Sequence, residues 1–264
     1  MIDLQIFQNI QNIGFGVVPQ VISPQKILAL TSELEAAIEV DNQFLNQFSS
    51  DHPRQKDRSM VHNCMTRGPH LASILDLEIM HAYLSEFLSS TCIMYAYQSS
   101  SMPPRKSNYS NRIHVDCPRF IPNYTTNMGV IIALTDFTEA NGATLFYPKS
   151  HLNEKAPSEE EFQNRALQAT CKAGDMIVFN ARCWHAGGVN NTDQPRHSLT
   201  INVCRSYMRQ RFDYPRLLES HHPEVLNWVG PKGRQFLGYN VRVPTSLEEF
   251  YLPEDQRLYK ANQG

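Results

Sequence analysis

Arg112-Ile113-His114-Val115-Asp116-Cys117 is the stretch on which the reading of this chain turns. In an extended chain, residues i and i+2 project to the same side. The spacing therefore predicts a strand that aims His114 and Asp116 together and turns Val115 away. Two ligands on one strand do not complete a metal site, so a third must come from a segment remote in sequence. Far downstream, Gly174-Asp175-Met176-Ile177-Val178-Phe179-Asn180 reads as a turn and a strand that deliver Arg182-Cys183-Trp184-His185. After the Gly187-Gly188 turn, another segment starts near Arg196 and runs through His197-Ser198-Leu199-Thr200-Ile201-Asn202-Val203. Paired antiparallel with the His185 strand, it would return Arg196 to the metal. His-x-Asp with a distant His is the ligand set of the 2-His-1-carboxylate facial triad, which holds non-haem Fe(II) and leaves positions open. Arg196 adds a guanidinium fork suited to a carboxylate.

The chain has 10 His, so a second downstream His is not informative by itself. The context of His185, just after an apolar strand and just before an Arg-bearing one, narrows the reading. His221-His222 is a poor second site, because adjacent residues point apart in a strand and do not face each other on a helix. Cys117 should face away from the ligands and pack. Arg105, Lys106, Arg112 and Arg119 bracket the ligand strand and read equally as an attractor for an anionic group or as ordinary surface charge.

Two longer stretches carry more. Gly14-Phe15-Gly16-Val17-Val18-Pro19 is followed by Ser23-Pro24 at the start of a helix. Later comes Leu134-Thr135-Asp136-Phe137-Thr138-Glu139-Ala140-Asn141-Gly142-Ala143-Thr144-Leu145-Phe146-Tyr147-Pro148-Lys149-Ser150-His151. With Gly174-Asp175 before the distal His, these stretches resemble the phytanoyl-CoA dioxygenase family of Fe(II)- and 2-oxoglutarate-dependent oxygenases. The second is similar to that family's Asp, Asn-Gly and Pro-Gly-Ser-His pattern, with Lys149 where Gly is usual. The resemblance spans about residues 10 to 205. It implies a mainly β fold with a double-stranded β-helix (jelly-roll, cupin-like) core, flanking N-terminal helices and a helical or looped C-terminal extension.

The resemblance also implies roles. His114, Asp116 and His185 would bind Fe(II). The cosubstrate 2-oxoglutarate would take two open positions through its keto oxygen and C1 carboxylate, and dioxygen the third. Arg196 would hold the C5 carboxylate. The expected reaction is hydroxylation of an unactivated C–H bond in a small-molecule metabolite, in secondary metabolism, with release of succinate and CO2. Desaturation, ring closure and epimerisation use the same site with a differently placed substrate. Asp116 stands where related halogenases carry a small residue, which favours oxygenation. Asn111, three residues before His114, stands where similar enzymes place an amide near the C1 carboxylate. Gln98 and Thr126-Asn127 are further candidates for cosubstrate contacts, and Ser198 shares a face with Arg196 at i+2. Two other readings stay open. A cupin-like metalloenzyme without 2-oxoglutarate would have no need of Arg196. A catalytically silent metal-binding or sensing barrel would tolerate loss of a ligand.

Composition sets the outer bounds. The 264 residues fit one domain, with a barrel core over about 91–206 and an extension over about 207–264 that is a candidate homodimer contact. The net charge of −2 lacks the basic footprint of a nucleic-acid binder. No run approaches the ~18 apolar residues of a membrane span. The start lacks the basic and apolar regions of a signal peptide, so a cytoplasmic location is expected. The six cysteines form no CxxC pair and read as small buried groups.

The remaining elements follow from periodicity. Residues 4–12 read as a short helix or loop, and 14–18 as an edge strand. Ser23 caps a helix whose apolar face carries Ile27, Leu28, Leu30, Leu34 and Ile38. Residues 45–60 read as a loop and about 70–90 as helical, with both helices outside the barrel. Strands are expected over Thr91–Tyr97, Met128–Leu134 and Ala143–Tyr147, and from Gln168 to Lys172. The Pro-rich run Ser99–Ser110 cannot be a central strand. Ser158 with Glu161 predicts a capping box inside the insert 152–168, a candidate lid. Trp184 is expected beneath the ligand turn, and His151 as a brace for its own turn.

Overall fold

The computed structural model describes residues 1–257, 259 and 263. The chain opens with α1 (Leu4–Ile13), β1 (Phe15–Val18) and α2 (Pro24–Leu45). Asp3 caps α1 by accepting from the N–H groups of Gln5 and Ile6, and Gly14 ends it in the left-handed region at φ 102°. A Cβ at Gly14 would sit 2.8 Å from both Cys183 Sγ and His151 Nδ1, so this turn is tight as well as left-handed. Residues 4–12, left between helix and loop in the sequence, are helix. Ser23 accepts from the Lys26 N–H, with Pro24 at the first helical position. The buried face of α2 is Leu30, Leu34, Ala37 and Leu45. Leu28 does not belong to it: it points to solvent, 74% exposed, because two residues of helix turn it far from Leu30. Next come α3 (Pro69–Ser73) and α4 (Glu78–Leu88), after a loop that holds a 3-10 turn at Pro53–Asp57.

The strands are β2 (Ile93–Ser99), β3 (Asn127–Ala133), β4 (Leu145–Phe146), β5 (Leu167–Gln168), β6 (Met176–Asn180), β7 (His185–Ala186) and β8 (Ser198–Cys204). α5 (Glu159–Arg165) precedes β5 and carries the Ser158–Glu161 capping box. One antiparallel sheet has the order β1-β6-β3-β8-β2, and a smaller one has β5-β4-β7. Every residue of β3 is buried, because this central strand is covered on both faces. Met128, Val130 and Ile132 join Met176 and Val178 of β6 in a core shared with α2 and α4. Ile131 and Ala133 face the other way and join Ile177, Phe179, Phe146 and Ala143 in a second core between the sheets. This is the cupin-like jelly roll, with the helices packed on its outer face.

Residues after β8 add to the outer core. α6 (Tyr214–His221), a 3-10 turn at Pro223–Asn227 and α7 (Pro231–Phe236) contribute Tyr214, Leu218, Val225 and Phe236 to the cluster that holds Leu30 and Leu34. A last short helix, α8 (Leu247–Phe250), follows. No helix among the described residues is long and apolar enough to cross a membrane.

Two sequence expectations need correction. The His114 segment is not a strand: among the described residues its ladder pairing is a single bridge, His114 to His185. Pro103, Pro104, Pro118 and Pro122 flank it, and proline has no N–H to continue a ladder. The second correction concerns Arg196. β7 pairs with β4, and β8 pairs with β2 and β3, so the two segments lie in different sheets. Arg196 instead bridges Met102, and the crossing between sheets brings it to the site.

Candidate metal centre

The site is built on a reciprocal main-chain contact. The N–H of His114 donates to the His185 carbonyl at 2.9 Å, and the N–H of His185 donates to the His114 carbonyl at 2.9 Å. This sets the two imidazoles side by side, with ring centroids 4.2 Å apart. The next turn of the loop is pinned by the Asp116 and Cys117 N–H groups, which both donate to the Ala181 carbonyl. Asp116 Oδ1 then lies 3.6 Å from His114 Nε2 and 3.9 Å from His185 Nε2. These are too long for hydrogen bonds. One ligand atom from each of the three residues falls within 4.8 Å of the others, the spacing of donors around a shared ion.

The protonation pattern suits a metal. His114 Nδ1 is 2.8 Å from the Arg112 carbonyl, and His185 Nδ1 is 2.9 Å from the Cys183 carbonyl. A carbonyl only accepts, so each Nδ1 carries a proton and Nε2 is the nitrogen turned toward Asp116 as the available metal donor. Burial, then the neighbouring His185, lowers the His114 pKa to about 4, which keeps the ring neutral. Phe179 packs edge-on to the His185 ring at 5.0 Å and fixes its plane.

The triad opens into a cavity of about 360 Å³ that also contains Arg196, Ser198, Gln98 and Thr200. Arg196 is 2% exposed. Its Nη1 donates to the Gly142 carbonyl, its guanidinium lies 4.3 Å from the Phe137 ring centre, and its Nε has no partner among the described residues. No carboxylate pairs with it there. Burial pulls its pKa down to about 10, which still leaves it charged. A buried charge without a counter-ion is costly. A cavity that contains one, next to three converging metal donors, is shaped for a chelating dianion.

The other sequence candidates divide. Ser198 and Gln98 line the cavity; Ser198 Oγ donates to the Ser100 carbonyl, and Gln98 Oε1 accepts from Arg211 Nη1. Asn111 does not line it: its Nδ2 donates to the Gly187 carbonyl at 2.9 Å. Asn127 is buried elsewhere, its Nδ2 donating to Asn202 Oδ1 at 3.1 Å. Both amides brace backbone and strand. None of residues 152–168 lines the cavity, so the insert is not its wall. Trp184 is outside the cavity too, His151 Nε2 is tied to the Gln11 carbonyl, and Cys117 is buried against Thr126. His222 lies beside Glu224, away from the triad. Among the cavity residues that the sequence reading had not assigned to the site are His62, Tyr109, Thr144, Thr200 and Arg211. Thr200 was findable, since Arg196, Ser198 and Thr200 alternate along one face.

Comparison with known proteins gives the family. The pattern of the family described as Phytanoyl-CoA dioxygenase (PhyH) matches residues 10–198. The chain belongs to the phytanoyl-CoA dioxygenase family. It is a non-haem iron, 2-oxoglutarate-dependent dioxygenase with dioxygen as co-substrate. It is 27% identical to the uncharacterized protein Mb1539 of Mycobacterium bovis, over 98% of this chain and 95% of that protein. It is 33% identical to dioxygenase FUM3 of Gibberella moniliformis, over 46% of this chain and 39% of that protein. Among solved structures, AviO1 from Streptomyces viridochromogenes superposes with a TM-score of 0.62 at 20% identity, covering 79% of this chain and 98% of that one. The epimerase SnoN, solved with Fe3+, alpha ketoglutarate and nogalamycin RO, superposes at 0.58 and 18% identity, over 76% and 82%. These structural likenesses extend to the fold.

Proposed function

We propose that this family member hydroxylates an unactivated C–H bond of a small-molecule metabolite, in secondary metabolism, with His114, Asp116 and His185 as the iron ligands and Arg196 as the 2-oxoglutarate anchor. One observation carries the reading: the three converging donors share a cavity with a buried guanidinium that has no ion-pair partner among the described residues. The neutral Nε2 atoms of His114 and His185 and the Asp116 carboxylate would bind Fe(II). Arg196 would bind the C5 carboxylate with charge-assisted hydrogen bonds, and the Thr200 and Ser198 hydroxyls lie on the same strand face. Ile131 and Phe179 supply apolar wall that keeps water from the reacting atoms. Bound iron and 2-oxoglutarate supply the oxidising power toward dioxygen, with succinate and CO2 as by-products. A metabolite-sized cavity and biosynthetic neighbours such as SnoN, from nogalamycin biosynthesis, support the substrate class.

The test is anaerobic addition of Fe(II) and 2-oxoglutarate, read by the visible metal-to-ligand charge-transfer band. Wild type should develop the band and Asp116→Ala should not. A properly metallated wild type without a band would sink the reading. Succinate release in a metabolite screen then finds the substrate, and a product with one added oxygen identifies hydroxylation.

A further inference from the structure

Two arginines on the cavity wall have no counter-charge among the described residues, and we propose that Arg112 and Arg211 bind an anionic group of the substrate, a carboxylate or a phosphate. The inference rests on the iron and 2-oxoglutarate reading above and adds the substrate's headgroup to it.

Both residues line the cavity that contains the triad. They reach it from different parts of the chain: Arg112 lies two residues before His114, and Arg211 lies in the loop after β8. Among the described residues neither forms an ion pair. Other arginines of this protein do: Arg105 pairs with Asp193, Arg67 with Asp41 and Arg242 with Glu219. The sequence had offered Arg105 and Arg112 alike as anion attractors or surface charge, and the Asp193 partner of Arg105 now separates the two.

Each free guanidinium is nevertheless held in place. Arg112 stacks over the Tyr109 ring at 4.1 Å. Arg211 lies 5.2 Å from the Tyr95 ring centre and donates from Nη1 to Gln98 Oε1 at 3.0 Å. Stacking and a neutral amide orient a guanidinium without consuming its charge, and they leave N–H donors for a ligand.

The charges inside the cavity favour an anion. Asp116 is the one carboxylate among the described lining residues. With the site loaded, the iron and Arg196 are balanced in full by Asp116 and the 2-oxoglutarate dianion. Arg112 and Arg211, both exposed, then remain as uncompensated positive charge at the rim of the cavity, where they can attract an anion. Met60 and Val115 add apolar surface for the rest of the substrate. Arg112 also ties the headgroup to the metal. Its main-chain carbonyl holds His114 Nδ1, so the side chain projects from a fixed point beside the iron ligand. Substituting the side chain leaves that carbonyl in place.

The test uses ligands with one tail and different heads. Protein loaded with Fe(II) and 2-oxoglutarate, kept anaerobic, is titrated calorimetrically with octanoate, octyl phosphate, octanol and octylamine. At least one of the two anions should bind about tenfold more tightly than octanol, and octylamine least. Arg112→Gln and Arg211→Gln should each weaken anion binding by about tenfold. The double variant Arg112→Glu/Arg211→Glu should turn the preference toward octylamine. Affinity for 2-oxoglutarate should stay at the wild-type value in the Arg112→Gln and Arg211→Gln proteins. The better of octanoate and octyl phosphate identifies the headgroup. Equal wild-type binding of octanol and both anions would overturn the proposal, as would undiminished anion binding in the double variant. Failure of wild type to take up 2-oxoglutarate would overturn the underlying iron-site reading instead.

Discussion

His114 and His185 hold each other through their main chains, each N–H donating to the other's carbonyl at 2.9 Å. The contact is independent of the imidazoles, so either side chain can be removed without opening the site. His114→Ala and His185→Ala should therefore fold, with circular dichroism close to wild type. Both should lose Fe(II) affinity by more than about 100-fold, since even partners outside the ligand shell contribute about 10- to 100-fold. Anaerobic Fe(II) titration is the measurement. A His114→Ala protein that retained wild-type affinity would remove this residue from the ligand set.

Arg196 separates ligand binding from stability. Among the described residues it is a buried guanidinium with one carbonyl partner, an aromatic face and an Nε without a partner. Replacing buried charge with an apolar side chain of similar size is often neutral or stabilising by about 1–4 kcal/mol. Arg196→Met should melt at or above the wild-type temperature without ligand. It should also lose the rise in Tm that 2-oxoglutarate gives the metal-loaded wild type. A melting point well below wild type would mean that the guanidinium serves the fold itself.

What could be read in advance follows from the range of the interactions. The run Met128–Leu134 announced a doubly covered strand, and β3 is buried on both faces because helices and the second sheet both cover it. The capping box at Ser158 and the cap at Ser23 are local, and both were legible. Strand partnership was not legible. The step from β7 to β8 reads equally well as a hairpin, and only the crossing between sheets decides otherwise. The convergence of His114, Asp116 and His185 could be anticipated from spacing, although the first two sit on a Pro-flanked loop. Arg211 was hidden, because it comes to the cavity from beyond the last strand by tertiary packing.

Gly129 links the sheet to the metal centre. It pairs with Phe179 across β3 and β6, and the Phe179 ring covers it. A Cβ there would collide with that ring. The same ring packs against His185 and lines the cavity. Gly129→Ala should cost about 1–3 kcal/mol of stability through overpacking. It should also weaken Fe(II) binding by shifting the ring that fixes His185. Adding Phe179→Leu to Gly129→Ala should recover stability, because the smaller side chain removes the collision. Denaturant unfolding of the four proteins in that cycle measures the coupling, and simple additivity would refute the contact as the cause.

Acid should weaken the metal-free fold through its buried histidines, His81 and His151 among them beside His114 and His197. Burial lowers the pKa of His81 and His151 below the ordinary 6.5. His81 stacks on Phe236 at 4.0 Å and its Nε2 is 2.7 Å from the Leu75 carbonyl, so a neutral ring satisfies it. In the unfolded chain these rings take up a proton near 6.5, while the folded protein still resists it. Below that pH the unfolded state binds more protons, so stability rises with pH. The stabilisation is fully present above the unfolded pKa and is lost as pH falls toward the folded one. Tm of the metal-free protein should thus fall steadily from about pH 7 to about pH 5. His81→Gln keeps an N–H for Leu75 but cannot titrate, and it should flatten the slope. An identical slope in the variant would show that His81 is not one of the groups responsible.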